Sequence, residues 1–371
     1  MILIILFYII FYIIFLLSPR WNTVEKRYDK QFWFVFILLF IFWGLRDLPI
    51  LNDTNHYYLA QLLLLNSPSF ANCTYYFIDP DNIWQPGFQI VQCLIGKLWN
   101  DPYALIMISA LVVISFTLWF IKQYTNQYAL VIFFMLSFGI LGGQISAMRQ
   151  GWAMCVFYVA CYYLEKKKII ITILLILLAM QFHSSAYVLF LLLGLNYLSF
   201  SKKHLLWIML GGITFLILLS PILQMLDYGD SKYIETAAER EGIAVAAFLI
   251  LAMQLILLAV IYHQTKKYNI AKPSSLILWG TVLSLIFNMA AIPIQVFNRF
   301  TVYFGIFQFL LLIHCLKYVH NSRRIIILSF FMFLSLAKTA IVIEYRNEWS
   351  HMVPYSFFDF SVGPQIKDFG Y

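Results

Sequence analysis

The chain has 371 residues, of which 62% are hydrophobic and only 11% are charged. Soluble globular domains carry about 45–50% apolar and about 25% charged residues, so this composition excludes a soluble protein and indicates one that crosses a membrane many times. In a soluble chain the net charge of +8 would suggest a nucleic-acid partner. Here the Lys and Arg residues cluster in short loops between apolar runs, as they do where they orient a membrane protein, and no nucleic-acid partner is expected.

Twelve apolar runs are predicted to be membrane-spanning helices, because lipid offers no hydrogen-bond partner to backbone groups outside a helix. The expected fold class is all-α: a polytopic integral membrane protein with one helical domain over residues 1–343 and an extracytoplasmic tail over residues 344–371. The predicted spans are residues 2–17, 32–45, 103–121, 128–147, 149–164, 168–182, 185–200, 205–223, 243–263, 275–297, 300–316 and 325–343.

The basic residues fall in alternating loops, and the positive-inside rule assigns those loops to the cytoplasm and both termini to the outside. The apolar run 86–99 would invert every later loop if it spanned the membrane. We therefore predict a short helix in this run, lying in the outer surface. The predicted outer loops are residues 46–102 and 224–242.

The five cysteines contain no CxxC pair and no Cys/His metal spacing, so neither a metal nor another cofactor is expected. Cys73 and Cys93 share the first outer loop. They could pair in a disulfide if that loop faces an oxidising compartment.

Two predicted helices form a hairpin around the charged loop 165–168. Arg149 lies 16 residues before Glu165 and His183 lies 15 residues after Lys168, which is about 24 Å and about 23 Å along a helix. Both side chains therefore reach the same depth, near the outer edge of a hydrocarbon layer about 30 Å thick.

Two further arginines share this level. Arg46 lies 16 residues after Lys30, and Arg299 lies 18 residues before Lys317. A charge in the middle of a membrane costs at least about 2.5–3.5 kcal/mol, and neighbouring guanidinium groups repel one another. An anion held among them would resolve this conflict, and Arg binds phosphate oxygens in bidentate fashion. The expected ligand is a polyprenyl diphosphate, which carries its own membrane anchor.

Five short segments resemble the EpsG-like group of Wzy-type polysaccharide polymerases, in the same order along the chain. They are GLRDLPILNDTNHYY from residue 44, QPGF from residue 85, MRQ from residue 148, FHSSA from residue 182 and NRFTVYF from residue 298. The resemblance implies an enzyme that joins lipid-diphosphate-linked oligosaccharide repeat units on the outer face of a bacterial inner or plasma membrane. The product would be capsule, exopolysaccharide or O-antigen, and a flippase and a chain-length regulator would be partners. Members of the group often carry Glu where this chain has Gln85, so a base is not expected at this position.

The reaction assigns roles to particular residues. Arg149, Arg299 and Arg46 would stabilise the charge that develops on the leaving diphosphate. His183 is the first candidate for the base that accepts the proton of the acceptor hydroxyl, and Asp47 or Asp53 is the second. The expected glycan-binding residues are Tyr57, Trp84, Gln85 and Gln150. No nucleotide and no metal is needed.

Each assignment has a structural alternative. An Arg at a helix end can extend to lipid headgroups, and His183 can cap the turn before Ser184 and Ser185. Asp53 can cap a helix, and Tyr57 and Trp84 can belong to the aromatic belt at the membrane surface. At the level of function, the alternatives are a glycan ligase using the same lipid donor, a transporter or flippase of lipid-linked glycans, and a non-catalytic assembly scaffold.

Overall fold

The structure is a computed structural model that describes residues 30–51, 53–67, 73, 85–225, 243–292, 294, 297–345 and 351–361, together with residues 6, 9, 10 and 13. The described residues are mostly helical, and they divide into two compact units. The first unit contains residues 1–133, 141–187 and 340–371, and the second contains residues 134–140 and 188–339.

The helices follow one another with short connections. They are α1 (Lys30–Gly44), α2 (Asp53–Leu65), α3 (Pro86–Leu98), α4 (Tyr103–Lys122), α5 (Tyr128–Ser137), α6 (Ile140–Ser146), α7 (Met148–Glu165), α8 (Ile169–Met180), a 3-10 helix (Ser184–Val188), α9 (Leu189–Leu195), α10 (Lys202–Met225), α11 (Ile243–Tyr268), α12 (Ser275–Ala290), α13 (Asn298–Leu316) and α14 (Asn321–Tyr345).

The all-helical fold class is confirmed for the described residues, and the predicted short helix after residue 85 is present as α3. Two predicted spans differ from the structure. The run 128–147 is broken into α5 and α6, which meet at 75°, and the run 185–200 contains only a 3-10 turn and the seven-residue α9. The predicted span 2–17 falls almost wholly outside the described residues.

The predicted number of twelve spans is not confirmed. Among the described residues, four helices are long and apolar enough to cross a membrane, or five if α5 and α6 together make one span. The four are Tyr103–Lys122, Phe248–Tyr268, Asn298–Leu316 and Asn321–Ile341. Other apolar helices are shorter than the roughly 20 residues that a crossing needs, as with the 12 residues of α8.

Large apolar side chains are exposed along several helices. Ile170, Ile326 and Phe333 are 75%, 67% and 69% exposed, and their helices carry further exposed Leu, Ile and Phe residues. Soluble monomers rarely expose apolar patches of this extent. These surfaces and the apolar helices make this a membrane protein.

The core of the first unit lies where α2 and α3 pack against the start of α4. Tyr57, Phe88, Tyr103 and Met148 are buried together in this cluster. A disulfide between Cys73 and Cys93 ties α3 to the segment that follows α2, with Cα atoms 5.4 Å apart. The pairing that the sequence left open is therefore present, and it fixes α3 beside the core.

The second unit is built around α12 and α13, which pack closely at a glycine. A Cβ atom at Gly280 would lie only 2.3 Å from the ring of Phe307. Three buried polar side chains join α11 to α12: Gln254 donates to Ser284 at 3.2 Å and accepts from Asn288 at 2.7 Å. Such hydrogen bonds between helices are typical of membrane interiors.

Candidate functional site

The α7–α8 hairpin has the geometry that the sequence predicts. α7 ends in a Schellman motif: Lys167 has a φ of +57°, and Lys168 N–H donates to the Tyr163 carbonyl at 3.0 Å. The chain thus reverses into α8. At the opposite end of the hairpin, the rings of Trp152 and Phe182 stack with centroids 5.9 Å apart. The start of α7, with Arg149, therefore lies at the same end as the segment that contains His183.

The segment before α3 is fixed to the end of α8 through Gly87, whose N–H donates to the Gln181 carbonyl at 2.9 Å. A Cβ atom at residue 87 would lie 2.7 Å from that carbonyl oxygen, so only glycine permits this approach. Pro86, at the first position of α3, needs no hydrogen-bond acceptor for its nitrogen. Gln85 is held in place, and its Oε1 atom accepts a hydrogen bond from Arg149 Nη1 at 3.3 Å.

α2 supplies the second set of partners for Arg149. Asp53, His56 and Tyr57 are three and four residues apart and therefore share one side of the helix. The Tyr57 hydroxyl accepts hydrogen bonds from the guanidinium and the backbone N–H of Arg149. Its ring is buried and contacts Phe88 edge-on, with centroids 5.7 Å apart. Asp53 and His56 remain exposed.

The electrostatics of these groups follow from burial and from the charges around them. Burial lowers the pKa of His56, the Asp53 carboxylate opposes this shift, and Arg149 adds to it. Burial raises the pKa of Tyr57, although Arg149 opposes the shift. At neutral pH the phenol therefore stays protonated and the imidazole is mostly uncharged. The resulting group, Arg149 with Gln85, Tyr57, His56 and Asp53, is called the Arg149 cluster below.

Arg46 has different surroundings. Its side chain is completely buried, Nε donates to the Thr54 hydroxyl at 3.1 Å, and Nη1 donates to the Trp43 carbonyl. Nη2 is buried without a hydrogen-bond partner among the described residues. Burial lowers the pKa of Arg46 to about 10, so it remains charged at neutral pH. With no exposed surface, Arg46 offers a phosphate no contact in this structure, and the geometry favours a structural role over the predicted diphosphate-binding one.

The end of the chain covers the loop that contains Arg46. We call residues 351–361 the tail. Asp47 N–H donates to the Ser356 carbonyl at 3.0 Å, and the Ser356 hydroxyl donates to Asp47 Oδ2 at 3.0 Å. The Phe358 ring stacks on Tyr103, with centroids 3.8 Å apart. The carboxylate of Asp47 thus holds the tail, which favours a structural role over that of a base.

His183 is buried, with 7% of its surface exposed. The N–H of Ser185 donates to its Nδ1 atom at 3.2 Å, and the Ser185 hydroxyl lies 2.6 Å from the same atom. Nδ1 is therefore an acceptor, and the neutral ring carries its proton on Nε2. This geometry favours the capping interpretation over the role of a base.

The remaining predicted residues do not all meet at this place. Gln150 is 2% exposed, so its side chain faces the interior rather than a glycan. Arg299 is exposed on the first turn of α13 in the second unit, so it is described separately from the Arg149 cluster. Trp84 lies outside the described residues.

The sequence reasoning missed His56. It treated Asp53 and Tyr57 separately, although their spacing places the intervening His56 between a carboxylate and a phenol on one helix. A cation reaching this helix from Arg149 is the long-range contact that makes the spacing meaningful. The two residues that it did assign near Arg149, Gln85 and Tyr57, are in contact with it.

Comparison with known proteins agrees with this arrangement. The model of the EpsG family matches residues 29–357, a range that includes every member of the Arg149 cluster. Comparisons with curated proteins and with solved structures gave no match. The family match covers nearly the whole chain, and the protein therefore belongs to the EpsG family, a Wzy-like polymerase family.

Proposed function

We propose that the protein is a polymerase that joins polyprenyl-diphosphate-linked oligosaccharide repeat units on the extracytoplasmic face of the bacterial inner (plasma) membrane, for exopolysaccharide, capsule or O-antigen. The family supports a role in exopolysaccharide synthesis. The observation that carries the finer proposal is the half-buried Arg149 at the end of an apolar hairpin, held by Gln85 and the Tyr57 hydroxyl.

The chemistry needs a cation at this place. In the transfer, the acceptor oxygen attacks C1 of the donor glycan, the C1–O bond to phosphate breaks, and the diphosphate leaves with the electron pair. A guanidinium fixed before the reaction stabilises the growing negative charge at little reorganisation cost. Gln85 and Tyr57 orient it, and a partly exposed position leaves room for phosphate oxygens.

Arg299 is the second candidate for phosphate contact. It is exposed at the start of α13, a 19-residue helix. The helix dipole disfavours a cation at such a place unless an anion is also present. An anionic ligand there would relieve that cost.

The disulfide supports an extracytoplasmic site. Disulfides persist in oxidising compartments and are rare in the cytoplasm. The bond between Cys73 and Cys93 lies in the loop that also leads to Gln85. After mild reduction of intact cells, a membrane-impermeant thiol reagent should therefore label Cys73. Labelling only after membrane disruption would contradict the proposed orientation.

The direct test uses purified protein in liposomes with lipid-linked repeat units and no added nucleotide. Wild-type protein should produce a ladder of longer glycans, and Arg149→Gln should lower the rate by about 10²- to 10³-fold. Arg323→Gln is a matched control, since Arg323 is an exposed arginine that donates to a tyrosine hydroxyl, that of Tyr268. Full activity in Arg149→Gln would refute the assignment.

One observation favours a second candidate, the transport of lipid-linked glycans. The helix break after α5 contains Gly139 with a φ of +77°, and Lys338 Nζ donates to the Ser137 carbonyl at 2.8 Å. Transporters place ionisable groups at broken helices. If transport is the function, Lys338→Met should stop the movement of a lipid-linked glycan across liposomes and leave any chain extension unchanged.

A further inference from the structure

The proposed polymerisation releases a proton from the acceptor hydroxyl, and the group that takes this proton needs a lone pair that can reach the acceptor. His183 does not meet this need in its neutral form. Its Nδ1 lone pair is occupied by Ser185, and its Nε2 carries a hydrogen. Neutral His183 therefore offers a hydrogen-bond donor from a buried position.

His56 meets the need in three respects. It is exposed, so an incoming sugar can reach it. It lies three residues after Asp53 and directly before Tyr57 on α2, next to the phenol that Arg149 contacts. A base at this point would stand beside the proposed phosphate-binding guanidinium, where acceptor and leaving group have to meet.

We propose that His56 is the general base of the transfer and that Asp53 is its positioning residue; this inference rests on the proposed function. The acceptor oxygen forms a bond to C1 of the donor glycan as its proton passes to a ring nitrogen of His56. The C1–O bond to phosphate breaks, and the diphosphate leaves with the electron pair. The products are the extended glycan, polyprenyl diphosphate and a protonated His56, whose new charge is stabilised by Asp53.

The charges around His56 suit this role. The groups that face it are Asp53 on its own helix and Arg149 on α7, and their effects on its pKa are opposite. Together with burial they leave the pKa of His56 below its ordinary value, so the ring is neutral and able to accept a proton at pH 7. The carboxylate then favours the protonated state once the transfer has occurred.

The test compares variants in the liposome assay. His56→Gln should lower the rate of chain extension by about 10²- to 10⁴-fold and leave the affinity for the lipid-linked donor unchanged. His263→Gln replaces an exposed histidine of α11 and should behave as wild type. Retention of the disulfide and a single peak on size exclusion would show that the His56 variant is folded.

The pH dependence separates a base from a structural residue. Asp53 raises the pKa of His56, so Asp53→Asn should lower that pKa and shift the acidic limb of the rate profile to lower pH. A structural role for Asp53 would lower the rate at every pH without moving the limb. A profile whose limb stays in place in Asp53→Asn would contradict the proposal.

The outcomes distinguish this inference from the function beneath it. If wild-type protein makes no ladder, the polymerase function fails and the assignment of His56 fails with it. If wild-type protein makes a ladder and His56→Gln makes it equally fast, only the assignment of His56 fails. The same conclusion follows if His183→Asn loses all chain extension while His56→Gln retains it.

Discussion

Arg46 and Arg149 illustrate two uses of a cation at one predicted depth. Arg149 is half-buried, and its partners are the side chains of Gln85 and Tyr57, which come from separate segments. Arg46 is fully buried, and its partners are the Trp43 carbonyl and the Thr54 hydroxyl close by in sequence. A guanidinium that satisfies its own loop stabilises the fold, whereas one held open by distant side chains can exchange a partner for a ligand.

The largest effect expected from disturbing the Arg149 region without touching its charges is that of Gly87→Ala. The new Cβ would lie 2.7 Å from the Gln181 carbonyl oxygen and would push Gln85 away from Arg149. A displacement of about 1 Å at a reacting centre can cost about 10²-fold in rate, and we expect a loss of this order in chain extension. Gly194→Ala, whose Cβ meets no described atom within 4 Å, is the control. Equal rates in both variants would show that the position of Gln85 is unimportant.

Arg46→Met should instead destabilise the protein. The change removes two hydrogen bonds of a buried charged group, and a loss of about 3 kcal/mol is expected. The measurement is the thermal inactivation of the purified protein in detergent, with the affinity of the surviving protein for polyprenyl diphosphate as the second readout. A stable variant that no longer binds the diphosphate would restore the diphosphate-binding role predicted from the sequence.

The smallest effect expected is that of Ser356→Ala, which removes the hydrogen bond from the tail to Asp47. This contact is exposed to solvent, so about 0.5 kcal/mol is expected. Limited proteolysis should cut the tail faster in this variant. Ser361→Ala removes only a local hydrogen bond to Asp359 and should not change the rate of cleavage. Equal cleavage of both variants would show that Asp47 does not hold the tail.

Much of the helical framework follows from the sequence. The apolar runs and the charged loop 165–168 predict α7 and α8 to within a few residues, since the helix turns where Lys and Glu must reach water. The break between α5 and α6 is hidden because both sides are apolar, and Gly139 alone does not reveal its positive φ. The tail is also hidden, since its contacts with Asp47 join residues about 300 positions apart.

The candidate site follows from the sequence only in part. Helical rise gives the depth of Arg46 and Arg149 along the membrane normal, and this depth is the same for both. It does not say which side of the helix faces the core or what covers the side chain, and those two facts separate their roles. His56 was missed for the same reason, because its importance depends on Arg149, 93 residues further along the chain.

The central claim is that Arg149 and its side-chain partners bind the diphosphate of the lipid donor. It is tested most directly by measuring the affinity for polyprenyl diphosphate in nanodiscs for wild type, Arg149→Gln, Arg46→Met and Arg323→Gln. We expect Arg149→Gln alone to lose at least about tenfold in affinity, because it alone removes a charge-assisted contact to phosphate. Unchanged affinity in Arg149→Gln would contradict the account.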